Sequence, residues 1–161
     1  MARAALIGMA LTGLTGHASA DPAVDAFAAH CFSPLMTAAR AAEVFSGLRY
    51  DFYDLDPLVA ANAPSAPSGR AVTQGTDRRC ELAFDGDAVA LGAAAVLEAL
   101  EREGITAPAD VPPDFPRAAG AKVVAARFLN PRRIAVVQIG TRPGPNGIET
   151  FLNVERLEPL S

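Results

Sequence analysis

The side chains able to do chemistry are few and widely spaced. Cys31 and Cys80 stand about 50 positions apart, and no Cys-x-x-Cys pair is present. That spacing favours a structural bridge over a thiol-exchange couple. In the chain-entropy picture, closing a loop of about 50 residues contributes roughly 4 kcal/mol. A Cys31–Cys80 disulfide is therefore the expectation. Apart from His17 near the start of the chain, His30 is the only histidine. A zinc site of two or three histidines cannot be built around it within one chain. A Ser-His-Asp or Cys-His arrangement would have to use His30 as its base. His30 adjoins Cys31, however, and neighbouring side chains on a helix point about 100° apart. A histidine near a helix end, facing solvent or a terminal carbonyl, is expected instead.

Two further groups carry charge in a pattern. Asp51, Asp54 and Asp56 lie close together, and paired carboxylates can serve as acid and base or bind a hard cation. The trio lacks the central glycine and terminal glutamate of a calcium loop, so a solvated strand edge is the expectation. The second group is arginines in or beside turns. Arg78 and Arg79 follow Gly75-Thr76-Asp77, Arg132 and Arg133 follow Asn130-Pro131, and Arg142 opens a proline-glycine stretch. A guanidinium grips a carboxylate, phosphate or sulfate through two parallel hydrogen bonds. Arg78, Arg79, Arg132, Arg133 and Arg142 are thus the candidate ligand- or partner-binding residues. The competing use of such arginines is cross-strand pairing, here among Arg79, Glu81, Arg127, Glu149 and Arg156. No catalytic set, metal site or cofactor is assigned.

The elements that must position these residues follow from periodicity. Pro22 at a first helical position, with Val24, Phe27 and Cys31 on one side, predicts a short helix. Ser33-Pro34 reads as the cap and first turn of a second, with Leu35, Ala38, Ala39, Ala42 and Phe45 facing the core and Gly47 ending it. Leu48, Tyr50 and Phe52 alternate with Arg49, Asp51 and Tyr53, the period of a half-buried strand. From Pro57 to Gly75 the chain lacks periodicity and is expected to form a surface loop. Arg79 to Phe84 alternates again, with Cys80, Leu82 and Phe84 inward and Arg79 and Glu81 outward. The bridge would then clamp the N-terminal helices onto the sheet.

Asp85-Gly86-Asp87 predicts a turn and an N-cap. Beyond it, Val89, Ala93, Val96, Leu97 and Leu100 form an apolar stripe that ends at Gly104. The prolines between Ala107 and Gly120 exclude regular structure, and Val111 and Phe115 are expected to pin that connection. Three strands close the chain, Lys122 to Leu129, Ile134 to Thr141 and Ile148 to Leu157, as an antiparallel meander. The second turn, Arg142 to Gly147, joins two strands and opens no helix, so it is no phosphate loop. Its prolines suggest a stiff, projecting tip. The sum is an α+β, two-layer domain. About three helices pack on one face of a mostly antiparallel sheet of about five strands.

Residues 1–20 read as a signal peptide, with Arg3 at the start, an apolar run from Ala4 to Gly16, and Ala18 and Ala20 before Asp21. The apolar run is shorter than the ~20 residues a spanning helix needs. Export to a periplasm or beyond the cell, with residues 21–161 as one globular domain and no integral membrane span after cleavage, is the expectation. The chain carries 14 Lys and Arg against 18 Asp and Glu, a net charge of −4, and losing Arg3 makes it one unit more acidic. Such a balance argues against nucleic acid as a partner. The reading that follows is a noncatalytic binding or accessory module of the cell envelope, its partner an envelope protein or a small anionic ligand. Oligomeric state is left open. The alternatives are a small hydrolase working through Asp51, Asp54 and Asp56, or a thiol-redox protein working through Cys31 and Cys80.

Overall fold

A computed structural model describes residues 21–55 and 73–158. The expected signal peptide, Asp56 and most of the expected surface loop lie outside the described residues. Helix α1 spans Pro22–His30. Asp21 caps it by accepting a hydrogen bond from the Ala23 N–H at 2.8 Å, and Ala23, Val24 and Phe27 are buried. Helix α2 spans Ala38–Val44 and starts later than Ser33-Pro34 implies, because the Thr37 hydroxyl accepts from the Arg40 N–H at 3.2 Å and supplies the cap. Ser33 instead closes an isolated turn, accepting from the Leu35 N–H through its hydroxyl. The shift rotates the buried face. Met36, Ala41 and Phe45 enter the core, while Leu35 is 84% exposed and Ala38, Ala39 and Ala42 also face out.

Five strands form one antiparallel sheet: β1 Arg49–Asp54, β2 Arg78–Asp85, β3 Ala121–Asn130, β4 Arg133–Gly144 and β5 Gly147–Leu157, in the order β1-β2-β5-β4-β3. The C-terminal meander is present, and β5 lies at the centre of the sheet. Helix α3, Val89–Arg102, crosses the same face as α1 and α2. Its expected side-chain cap is replaced by a tertiary one. Ala88 stands at the N-cap, and its N–H donates to the Thr150 hydroxyl of β5 at 2.9 Å; that hydroxyl donates in turn to the Gly86 carbonyl at 2.7 Å. Gly92, Val96, Ala99 and Leu100 are buried, whereas Leu97 is exposed. A Cβ at Gly92 would fall 2.6 Å from Cδ2 of Leu152, so the absent side chain lets α3 lie close on the sheet.

The helices share one core with Cys80, Leu82, Phe84, Val137, Ile139, Leu152 and Val154. The Cys31–Cys80 disulfide joins the residue after α1 to β2, with Cα atoms 5.6 Å apart, and clamps the helical layer to the sheet. The opposite face is not open either. There Phe115 packs with Ala126, Ile134, Val136 and Leu157, as the pinning of the proline-rich connection requires. Gln138 secures the connection by donating to the Pro116 carbonyl and accepting from the Ala118 N–H. The same segment covers part of the β3 edge, where the Ala109 N–H donates to the Ala126 carbonyl and the Phe128 N–H to the Ala107 carbonyl.

Alternation in β1 and β2 does send Asp51, Arg79 and Glu81 to this second face, but they do not meet solvent. Arg79 is 0% exposed and Asp51 3% exposed. The outward reading of these residues is corrected because the sheet is covered on both sides. The hairpin tip also differs from expectation. Pairing runs on through Pro143 opposite Ile148 and Gly144 opposite Gly147, leaving Pro145 and Asn146 at the tip. No β3 residue pairs with β4 beyond Gly140, so Pro143 removes no ladder bond on that side. Gly147 adopts a φ of 113°, and Asn146 donates to Asp85 at 2.9 Å, tying the tip down against β2.

Candidate functional site

One end of the sheet gathers charge around an open hollow. It lies where β2 begins, β5 ends and the β3–β4 turn reverses the chain, facing the turn after α1 and the end of α3. The cavity there has a volume of about 960 Å³. Its floor is apolar, made by Phe32, Ile105, Leu129, Ala135 and Val154, and its rim carries Arg78, Arg132, Arg133 and Arg156. Strand register explains part of the gathering. Arg78 and Arg156 are cross-strand partners, and Ala135 stands opposite Arg156 on the other side.

Asp77 organises two of the four arginines. Its backbone N–H donates to the Arg156 carbonyl, which fixes the carboxylate beside the last turn of the sheet. Oδ1 then accepts from Nε of Arg156 at 2.5 Å and Oδ2 from Nε of Arg133 at 2.6 Å. The hydrogen bond that Arg133 donates to Asp77, opposed by partial burial, holds the Arg133 guanidinium above its ordinary pKa. Arg133 also uses Nη1, on the Arg132 carbonyl and Glu158. Among the described residues, Nη2 of Arg133 and both terminal nitrogens of Arg156 make no hydrogen bond.

Arg78 and Arg132 differ in kind. Arg78 is a strut. Nε donates to Asp54 at 2.9 Å, Nη1 donates to the Ser33 carbonyl at 3.0 Å, and the guanidinium lies 6.0 Å from the centre of the Phe52 ring. It ties the turn after α1 to the sheet. Arg132 sits in the β3–β4 turn, whose geometry is set by the Asn130 side chain accepting from the Arg132 N–H at 2.9 Å. Its guanidinium is exposed and forms no ion pair among the described residues.

The structure thus brings Arg78, Arg132 and Arg133 to one cavity and places Arg79 and Arg142 elsewhere. Arg79 pairs with Asp51 on the second face. Arg142 lies near the hairpin end of β4, donating to Glu81 at 2.7 Å and Glu149 at 2.6 Å, with its guanidinium 4.9 Å from the centre of the Phe151 ring. Burial pulls the Arg142 pKa down, but Glu81 and Glu149 outweigh it, and the net shift is upward. A small hollow of about 80 Å³ beside this cluster is lined by Arg49, Asp51, Glu81, Arg142 and Glu149. Its charges face one another, since Glu149 also forms an ion pair with the Arg49 guanidinium at 3.2 Å.

Asp51 and Asp54 do not form a solvated edge. Each faces an arginine, Arg79 and Arg78 respectively. They also occupy opposite faces of β1, since an odd separation along a strand reverses the side chain. The two carboxylates therefore cannot act together on one substrate. No cluster of metal-ligating side chains occurs among the described residues. His30 lies in the last turn of α1 with its ring 6.1 Å from that of Phe45. Cross-strand neighbours also pair differently from the sequence reading. Arg156 turns to Asp77, and Arg127 donates to the Ala126 carbonyl.

Sequence reading missed Asp77 and Arg156, and with them the apolar floor. Asp77 stands directly before Arg78, and an acid beside a pair of arginines is a usable hint. Arg156 carried none, because its place at the rim depends on the pairing of β5 with β2. No family model, no curated protein and no solved structure matches this chain.

Proposed function

We propose that this protein is a noncatalytic binding or accessory module of the cell envelope and that its cavity at the arginine-bearing end of the sheet receives a small anionic ligand. The observation that carries the reading is the cavity itself. Its volume of about 960 Å³ lies within the range of small-molecule sites, and it combines an apolar floor with arginine donors left unsatisfied within the described residues. Binding is favoured over catalysis because the acids nearest to a reactive arrangement, Asp51 and Asp54, are engaged by arginines and separated by the strand. Binding is favoured over thiol exchange because Cys31 and Cys80 are bonded to each other and both buried, out of reach of an attacking thiolate.

Export through the N-terminal signal, to a periplasm or beyond, belongs to the same proposal. A disulfide is compatible with it, and so is the finding that no helix among the described residues is long and apolar enough to cross a membrane. The test is a titration of isotope-labelled protein with acetate and then sulfate, followed by amide chemical shifts. Saturable shifts confined to residues 129–133 and 154–158 and the Asp77 region are expected. If neither anion moves those amides, the binding reading fails. Native mass spectrometry of protein taken from the envelope fraction reports cleavage after Ala20; an uncleaved chain would overturn the proposed route.

A further inference from the structure

The cavity's apolar and charged parts are spatially separated, and that separation constrains what fits. We infer that it takes a single-chain amphipathic carboxylate, with the head at Arg132, Arg133 and Arg156 and the apolar body along Phe32, Ile105 and Leu129. This rests on the reading of the cavity as a binding site and names its ligand class.

Charge sets the head. Arg78 is neutralised by Asp54 at 2.9 Å, and Glu103 faces Arg102 at 3.8 Å. Arg132, Arg133 and Arg156 then stand against Asp77 and Glu158, one positive charge in excess. That excess matches a monoanion. A dianionic phosphate would leave one negative charge beside Asp77. Geometry agrees, because the Asp77 carboxylate holds two guanidinium groups by Nε, and Nη2 of Arg133 and the terminal nitrogens of Arg156, which make no hydrogen bond among the described residues, remain to donate to a planar carboxylate. Asp77 is thus a positioning residue, orienting donors without touching the ligand.

The floor sets the body. Ala135 and Val154 are buried at its base, and the half-buried Ile105 and Leu129 flank it. A small inorganic anion would bind the rim and leave this surface wet. An alkyl chain removes it from water, and each methylene it buries raises affinity by up to about fourfold.

Calorimetric titration at low salt with acetate, hexanoate, octanoate, decanoate, decanol and decyl phosphate tests the inference. Affinity is expected to climb at least tenfold from hexanoate to decanoate, with decanoate ahead of both decanol and decyl phosphate. Arg132→Ala, at an exposed position, is expected to weaken every carboxylate about fivefold to tenfold and to keep the chain-length trend. Leu129→Gln is expected to flatten that trend and keep acetate binding. Unchanged circular dichroism and an intact disulfide show that both variants fold. Equal affinity for acetate and decanoate would overturn the amphipathic class while leaving the anion site standing. Decanol or decyl phosphate binding as tightly as decanoate would overturn the monoanionic head. Binding of none of these compounds would overturn both the class and the site.

Discussion

Replacing both cysteines, Cys31→Ala with Cys80→Ala, should lower stability by about 4 kcal/mol, nearly all of it through the unfolded chain. The bond spans a sequence separation of 49, and closing a loop of that length removes unfolded-state entropy worth roughly that amount at 25 °C. The folded state loses little by comparison, since Phe27 and Phe45 pack the helices against the sheet whether or not the sulfurs are joined. With a urea dependence of about 2 kcal/mol per molar for a domain of this size, the unfolding midpoint should fall by about 2 M. Total stability of such domains is about 5–15 kcal/mol, so the variant stays folded in water unless it begins near the lower limit. Urea unfolding followed by circular dichroism measures the shift, and amide exchange in α1 separates the two possible origins. A shift below about 0.5 M would refute the loop-entropy argument. A large shift with α1 amides already exchanging freely in water would refute it differently, because the bond would then be holding α1 in place.

Three further outcomes follow from burial and contact. Arg79→Met removes a fully buried cation and breaks its ion pair with Asp51, at a cost of about 3–5 kcal/mol; a loss under 1 kcal/mol in urea unfolding would refute the reading of the pair. Gly140→Ala places a Cβ 2.6 Å from the Gly120 carbonyl oxygen and 2.7 Å from the Ala121 Cα, so β3 must shift and stability should drop by about 1–3 kcal/mol; an unchanged thermal midpoint would count against that close approach. Hydrogen bonds from Asn146 and then Arg49 hold Asp85 below the ordinary aspartate pKa. Its contribution is therefore present above that ordinary value and lost as pH falls through the folded one. Asn146→Ala should move the Asp85 titration upward in a carboxyl-detected NMR experiment, and an unmoved titration would contradict the assigned cause.

The layered α+β architecture was legible because its signals are local. Alternation marked β1 and β2, an apolar stripe marked α3, and turn residues separated the three strands of the meander. Two kinds of information were not local. The start of α2 depended on which of two hydroxyls, Ser33 or Thr37, caps a helix that propagates, and both have suitable sequence context. The fate of the polar positions in β1 and β2 depended on whether the second face is covered. Alternation assigns Asp51, Arg79 and Glu81 to one face but does not say whether that face is wet. The arginines of the cavity were noticed singly, as turn residues. Their convergence required the β2–β5 register that sets Arg78 beside Arg156, and the β3–β4 turn that carries Arg132 and Arg133 to the same end.

Arginine does two jobs in this molecule, and the difference lies in how many of its donors are spent. Arg79 and Arg142 are matched to carboxylates on the second face, where burial makes an unmatched guanidinium costly, so these residues fix the sheet's covering and its hairpin end. Arg78 is spent on Asp54 and the carbonyl of Ser33, and by holding that turn it shapes the wall beside Phe32. Arg132, Arg133 and Arg156 retain donors at a cavity open to solvent, where water satisfies them at little cost until a ligand replaces it. A guanidinium that is fully matched inside the protein has little left to offer a ligand, whereas one oriented by a shared carboxylate with its terminal nitrogens unspent is already arranged to bind. The single carboxylate of Asp77 orients two arginines at once while Nη2 of Arg133 and the terminal nitrogens of Arg156 make no hydrogen bond among the described residues, which is why the arginine-bearing end of the sheet, and not the second face, is the place to look for function.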